Sequence, residues 1–347
     1  MVLYGDVAVG DVVRGGQGPL VRIAMLEEAA LVLLVLVVTI RVVYRWRSGR
    51  CSSSATLDGK TVIITGASAG IGKETAMDLA GRGARVIMAC RNMEKANKVA
   101  TEIRVATNYR GEVEVRRLDT SDLASVRAFA KKILENEKSL HILINNAGIM
   151  GPPRRELTED GLELTMATNH YGHFLLTNLL LGLLKKSAPG RIINLTSDSH
   201  DYVNKLNPDS LNFERDYYSS MTAYGQSKLC NILFTIELTS KLQGTGVTAN
   251  SVHPGCVSTE IFYKGQVTFF AWLCGKLFYL MGKDAKLGAE PVIYLAVSEE
   301  VEGVSGSYFV DCKDTATTEL ARQRKLAKQL WEASEVDVKL QPDERYY

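Results

Sequence analysis

From Gly59 onward the chain alternates short, almost unbroken apolar runs with longer stretches in which apolar residues recur every third or fourth position. The runs Thr61–Thr65, Arg85–Cys90, Val113–Leu118, His141–Asn145, Arg191–Leu195, Val247–Val252 and Tyr308–Val310 predict strands. Helical spacing marks Lys73–Arg82, Glu94–Thr107, Leu123–Glu135, Leu162–Lys185 and Ala223–Leu242. Continuous apolar strands alternating with amphipathic helices predict an α/β fold, a doubly wound parallel sheet covered on both faces. A single domain is expected over residues 55–316. Ligands of such sheets bind beyond the carboxyl ends of the strands, so polar residues there carry the functional reading.

The pattern differs at both ends. Residues 1–54 form an N-terminal extension with no clear apolar period before Ala29. Ala29–Ile40 is then uncharged and rich in Leu and Val, and past Arg41 the run reaches Tyr44. Sixteen residues make roughly 24 Å of helix, short of the roughly 20 residues that a span prefers, although Glu28 and Arg41 can reach the two interfaces. A hydrophobic membrane anchor at about 29–44 is expected, with a helix lying on the membrane surface as the alternative. A secretory leader fits poorly: Asp6, Asp11, Glu27 and Glu28 outweigh Arg14 and Arg22 upstream, and arginines rather than a cleavage site follow. Arg41, Arg45, Arg47 and Arg50 keep the bulk of the chain cytosolic, at the endoplasmic reticulum or, as a second choice, a mitochondrial membrane. Met25 is an alternative start. At the other end, residues 317–347 read as an amphipathic helix, Thr317–Val336, with Leu320, Leu330 and Trp331 on one side, then a polar tail.

Composition narrows the function by exclusion. The 41 basic and 39 acidic residues leave no excess charge for neutralising phosphates, so no nucleic-acid partner is expected. The six cysteines show neither C-x-x-C nor metal-ligand spacing, and read as free thiols in a reducing compartment with no metal site.

The polar residues at the strand ends bring chemistry. After the first strand, Gly66, Ser68, Ala69, Gly70, Ile71 and Gly72 form a glycine-rich turn into a helix, either a tight connection or a cradle for a pyrophosphate. The second strand ends at Cys90, where a ribose-binding acid of an NAD site would stand. Arg91 follows and offers a guanidinium to a 2′-phosphate, or is merely a solvated strand-end residue. Asp119 and Asn146-Ala147-Gly148, after the third and fourth strands, lie where an adenine and a ribose would pass. Tyr224 and Lys228, four apart on a predicted helix, share a face. A cation beside a phenol lowers its pKa, which predicts a tyrosine poised to exchange a proton with a carbonyl oxygen.

Taken together, Thr-Gly-x-x-x-Gly-x-Gly at 65–72, Asn-Asn-Ala-Gly at 145–148, Asn169, Ser197, Tyr224-x-x-x-Lys228 and Pro254-Gly255 resemble the short-chain dehydrogenase/reductase family over residues 59–312. Within it, Ala89-Cys90-Arg91, Asn169-His170-Tyr171-Gly172-His173-Phe174 and Val252-His253-Pro254-Gly255 resemble the membrane-anchored, NADPH-preferring retinol dehydrogenases. The resemblance implies a Rossmann-type domain binding NADP(H), and oxidoreduction between a lipophilic aldehyde or ketone and its alcohol. It implies Tyr224 as proton donor or acceptor, Lys228 lowering its pKa and holding a ribose, Ser197 on the substrate oxygen, and Asn169 ordering a water. Pro254, Gly255, Val257 and Thr259 would fix the nicotinamide amide. Thr196 is the competing hydroxyl, and His170 and His253 are assigned to structure.

The substrate is less legible. Phe269–Leu273 and Leu277–Met281 are strongly apolar and read either as a core helix or homodimer surface, or as a lipophilic substrate mouth facing a bilayer. Retinal/retinol, a steroid and a lipid-derived aldehyde are the candidate substrates. A catalytically idle, membrane-tethered interaction protein is the competing reading.

Overall fold

A computed structural model describes the backbone of residues 19–257 and 282–347. Two compact units divide at Trp46/Arg47. The first contains helix α1 (Pro19–Arg47), in which Leu31, Val32, Leu33, Leu34, Val35 and Leu36 are each more than half exposed. The anchor expected at about 29–44 lies in this helix; among the described residues, no helix is long and apolar enough to cross a membrane.

The second unit is built on an eight-stranded sheet in the order β3-β2-β1-β4-β5-β6-β7-β8. Its strands are β1 (Thr61–Thr65), β2 (Arg85–Cys90), β3 (Glu112–Arg117), β4 (Ile142–Asn145), β5 (Gly190–Leu195), β6 (Val247–His253), β7 (Tyr308–Val310) and β8 (Lys313–Asp314). All pair in parallel except β8, which runs antiparallel to β7. The two-residue β8 follows a reversal at Asp311 and Cys312, both in the left-handed region, and has no apolar run to announce it.

Alternate strand residues feed two cores. Ile63, Ile87, Leu143 and Ile192 face one, and Val62, Ile64, Val86, Met88, Ile144 and Ile193 the other. Helices α2 (Gly70–Gly81), α3 (Met93–Ala106) and α8 (Ala285–Val297) cover the second core. The first is covered by α4 (Leu123–Asn136), α6 (Gly172–Lys186), α7 (Ser220–Lys241) and α9 (Arg324–Asp337). This is the doubly wound, Rossmann-type arrangement expected, with its switch point between β1 and β4.

The helix expected at Leu162–Lys185 is broken into three pieces: a short turn α5 (Leu164–Met166), a π-helical turn (Ala167–Tyr171), and α6. A side chain at Gly172 would overlap the Thr120 carbonyl, so the chain packs backbone to backbone as α6 begins. The C-terminal helix starts later than expected, after a 3-10 turn at Leu320–Arg322. Leu326, Leu330 and Trp331 are buried against the first core, and Trp331 lies 4.8 Å from Phe174 and 5.7 Å from Phe234 between ring centroids. The tail also packs: Arg127 pairs with Glu344 at 2.9 Å, and Lys185 donates to the Tyr346 carbonyl at 2.6 Å.

Candidate active site

The described candidates follow the carboxyl ends of β1 to β6, except Asn169 on the π-helical turn and Tyr224 and Lys228 on α7. In the turn after β1, Gly66 and Gly70 have φ of +70° and +55°, conformations that suit glycine. A β-carbon at Gly66 would come within 2.9 Å of Ala147 Cα, and one at Gly72 within 2.5 Å of Asn146 Nδ2. Beneath the turn, Thr65 Oγ1 accepts from the Asn146 and Ala147 amides, each at 2.9 Å, and Asn146 Nδ2 donates to the Thr65 carbonyl at 2.7 Å. The first two ligand loops are thus fastened to each other. Helix α2 begins at Gly70 with no side-chain cap and no acid in its first turn, leaving its first amides for an anion.

The expected i, i+4 pair stands on α7. Lys228 Nζ lies 5.4 Å from the centroid of the Tyr224 ring and donates to the Leu195 carbonyl at 3.3 Å. Tyr224 is half-buried, on the first turns of α7. Thr196, the competing hydroxyl, is used up in donating to the Lys228 carbonyl at 2.8 Å. Ser197 Oγ instead donates to Asp198 at 2.9 Å and accepts the Ser199 amide at 3.2 Å, half-buried at the mouth.

Burial, however, reverses one expectation. The Tyr224 phenol is pushed up to about 12, by burial first and by the Asp198 charge, against the Ser197 hydrogen bond. Lys228, buried, is brought down to about 8. Desolvation dominates, and the tyrosine stays protonated through neutral pH.

Asn169 sits on the π-helical turn, and its side chain is fully engaged. Oδ1 accepts the Ile149 amide at 2.9 Å, while Nδ2 donates to the Ile149 carbonyl at 3.0 Å and to Ser227 Oγ at 2.9 Å. The side chain clamps the loop after Gly148 to α7. A β-carbon at Gly148 would lie 3.4 Å from Asn169 Oδ1 and 3.6 Å from Lys228 Nζ, so this loop closes over the pair.

Sequence reasoning missed the supports. Ser227 accepts from Asn169 and donates to the Tyr224 carbonyl at 2.7 Å; Asn231 donates to the carbonyls of Asn169 and Leu195 at 3.1 and 3.0 Å. A polar stripe at 224, 227, 228, 231 and 235 along an otherwise apolar helix was the available signal. His173 Nδ1 faces the Asn169 carbonyl at 3.0 Å and so carries the proton, leaving Nε2 to accept from Thr65 at 2.9 Å. Of the two histidines assigned to structure, His170 is fully buried between Ser334 and Asn231, and His253 Nδ1 accepts the Asp198 amide at 3.3 Å.

At the end of β2, the Cys90 thiol turns into the glycine-rich turn against Ser68, and its pKa is raised by burial. Arg91 is 68% exposed and lies 3.8 Å from Asp119, whose carboxylate accepts the Ser121 amide at 3.0 Å and hydroxyl at 2.6 Å. Pro254 and Gly255 follow β6, Gly255 with φ +89°, and Val257 bridges Lys283. Thr259 and the apolar stretches Phe269–Leu273 and Leu277–Met281 lie outside the described residues.

The family model for short chain dehydrogenase matches residues 60–266. The chain belongs to the short-chain dehydrogenase family. It is 48% identical to human retinol dehydrogenase 13 over 289 residues, covering 82% of this chain and 86% of that one. With mouse retinol dehydrogenase 12 the identity is also 48%, over 82% of this chain and 88% of that one. Among solved structures, an uncharacterised protein from Mycobacterium paratuberculosis is similar at 33% identity and TM-score 0.67, covering 84% of this chain and 98% of that one. The NADP active-site complex of RhlG from Pseudomonas aeruginosa is similar at 25% identity and TM-score 0.58, covering 73% and 95%. The chain is thus an oxidoreductase of the short-chain dehydrogenase family, closely related to retinol dehydrogenases, and family and fold imply a nicotinamide cofactor. The residues present fit one: an uncapped helix start and a turn where a side chain at Gly66 or Gly72 would collide.

Proposed function

We propose that this short-chain dehydrogenase uses NADP(H) to interconvert a lipophilic aldehyde or ketone, of the retinal/retinol kind, and its alcohol. The Lys228 ammonium beside the Tyr224 ring, both on one face of α7, is the observation that carries the chemistry. In reduction the Tyr224 and Ser197 hydroxyls hold the carbonyl oxygen, and Tyr224 gives it a proton as negative charge develops there. The bound nicotinamide supplies or accepts the hydride. Lys228 stabilises the phenolate left behind, and Asn169 with Ser227 holds the helix against the Gly148 loop. A phenol near 12 beside a lysine near 8 suits reduction at neutral pH, because the acid is loaded and the cation is present. Gly66, Ser68, Ala69, Gly70, Ile71 and Gly72 would take the pyrophosphate, Asp119, Asn146, Ala147 and Gly148 the adenosine and ribose, and Pro254, Gly255, Val257 and Thr259 the nicotinamide. The 48%-identical relatives named retinol dehydrogenase support the substrate class.

The choice of NADP(H) rests on Arg91. Its contact with Asp119 is long and exposed, worth little, so the guanidinium is free to face a 2′-phosphate. Such charge-assisted bonds are worth about 1.5–3 kcal/mol, roughly one to two orders of magnitude in affinity. Cys90→Asp with Arg91→Leu is expected to weaken NADPH by that factor and relatively favour NADH, by fluorescence titration. Equal wild-type affinity for the two cofactors would refute the preference. Assays of membranes from expressing cells, with NADPH and a panel of retinaldehydes, steroid ketones and long-chain aldehydes, test the substrate class; failure on every retinaldehyde would refute it.

Membrane attachment is proposed through α1, whose apolar residues are exposed on consecutive positions and so on every side of the helix. Arg41, Arg45, Arg47 and Arg50 place the catalytic unit on the cytosolic side. Protease added to intact microsomes is expected to digest it, and carbonate washing to leave it in the pellet. A protected, glycosylated domain would contradict this orientation, and release by carbonate would contradict firm insertion.

A further inference from the structure

Lys283 is a lysine with no exposed surface, outside the four residues assigned to catalysis. Its ammonium is paired with Asp311 and donates to the Pro254 carbonyl at 3.3 Å, while its own amide donates to the Cys256 carbonyl at 2.8 Å. The two carbonyls flanking Gly255, the residue with φ +89°, are therefore both held by one residue. Asp311 Oδ1 is in turn shared with the Gly49 amide at 3.2 Å, and a β-carbon at Gly49 would overlap the Asp311 carbonyl. Buried ion pairs add little net stability over apolar packing, because both ions lose their water. A cation placed on one loop's carbonyls is better explained by what it does to that loop.

We propose that Lys283 is a positioning residue for the cofactor. With Asp311 and the Gly49 backbone it ties the Pro254 and Cys256 carbonyls inward and fixes the peptide groups of the Pro254–Val257 loop where the nicotinamide amide docks. This rests on reading that loop as the nicotinamide site. Without the clamp, the loop must be ordered at the moment of binding, and affinity for the nicotinamide half falls. The adenosine half, held at Gly66–Gly72 and Arg91, is untouched.

The test uses the full chain with Lys283→Met, and the double variant Lys283→Met/Asp311→Asn, which leaves no unpaired charge. NADPH and 2′,5′-ADP are titrated against each, and thermal midpoints are recorded. NADPH is expected to bind about tenfold more weakly, with 2′,5′-ADP unchanged in the folded variants. Asp311→Asn alone, which keeps both hydrogen-bond partners, should show the same selective effect more weakly. Wild-type NADPH affinity in the double variant overturns the clamp, as does parallel loss of both ligands in Asp311→Asn. A wild-type chain that binds 2′,5′-ADP and NADPH equally well overturns the nicotinamide-loop reading, and the clamp with it.

Discussion

Tyr224→Phe is expected to lower turnover by roughly 100- to 10,000-fold while NADP(H) titrates as it does with the wild-type chain. The ring fills the same space, and the cofactor cradle at Gly66–Gly72 lies on other elements. What disappears is the acid. An aliphatic hydroxyl such as Ser197 is a far weaker acid than a phenol, and His253 Nδ1 is taken by the Asp198 amide, so neither replaces Tyr224. Turnover within tenfold of wild type would sink the assignment. The pH profile adds a second signature. Lys228 is charged below about 8 and Tyr224 protonated to about 12, so reduction should be steady through neutrality and decline above about 8. That limb reports loss of the cation that stabilises the phenolate, and Lys228→Ala should both lower turnover and erase it.

Much of this site was legible because buried parallel strands leave a simple trace. With both faces covered, β1, β2, β4 and β5 read as unbroken apolar runs, and the first polar residues after them, from Gly66 to Ser197, mark the crevice. The Tyr224–Lys228 pair was visible for a similar reason, since helical spacing places both on one face. Its electrostatics were not visible. Charge proximity alone lowers a phenol's pKa, whereas the depth that raises it depends on packing from elements distant in sequence. The π-helical turn at Ala167–Tyr171 was hidden because one extra residue per turn barely disturbs an apolar pattern. It is dictated by three-dimensional demands: Asn169 must reach Ile149 and Ser227, while its carbonyl meets His173 and Asn231. Lys283 was illegible too. Nothing local distinguishes a lysine that will be buried against Asp311 from one that will be solvated.

The same buried layer makes the fold sensitive to mild acid. His170 and His173 flank Asn169 and are both completely enclosed; burial brings them from 6.5 to about 3 and about 4. Unfolded, each accepts a proton near its ordinary value of 6.5; folded, each refuses it until the pH is far lower. Between these values the unfolded state binds more protons, so stability falls as pH falls below about 6.5. Each histidine contributes up to about 1.4 kcal/mol per pH unit, a slope that fades as pH rises past 7. Urea midpoints of the isolated catalytic unit, Arg47–Tyr347, measured from pH 7.5 to 5, should therefore be flat and then drop. His170→Gln, which keeps polar atoms near Ser334 and Asn231, should make the slope shallower even where it lowers stability at pH 7.5. Constant midpoints down to pH 5 would mean that these imidazoles take up protons in the folded state, against the fixed donor and acceptor roles that tie Asn169 to Thr65, Asn231 and the C-terminal helix.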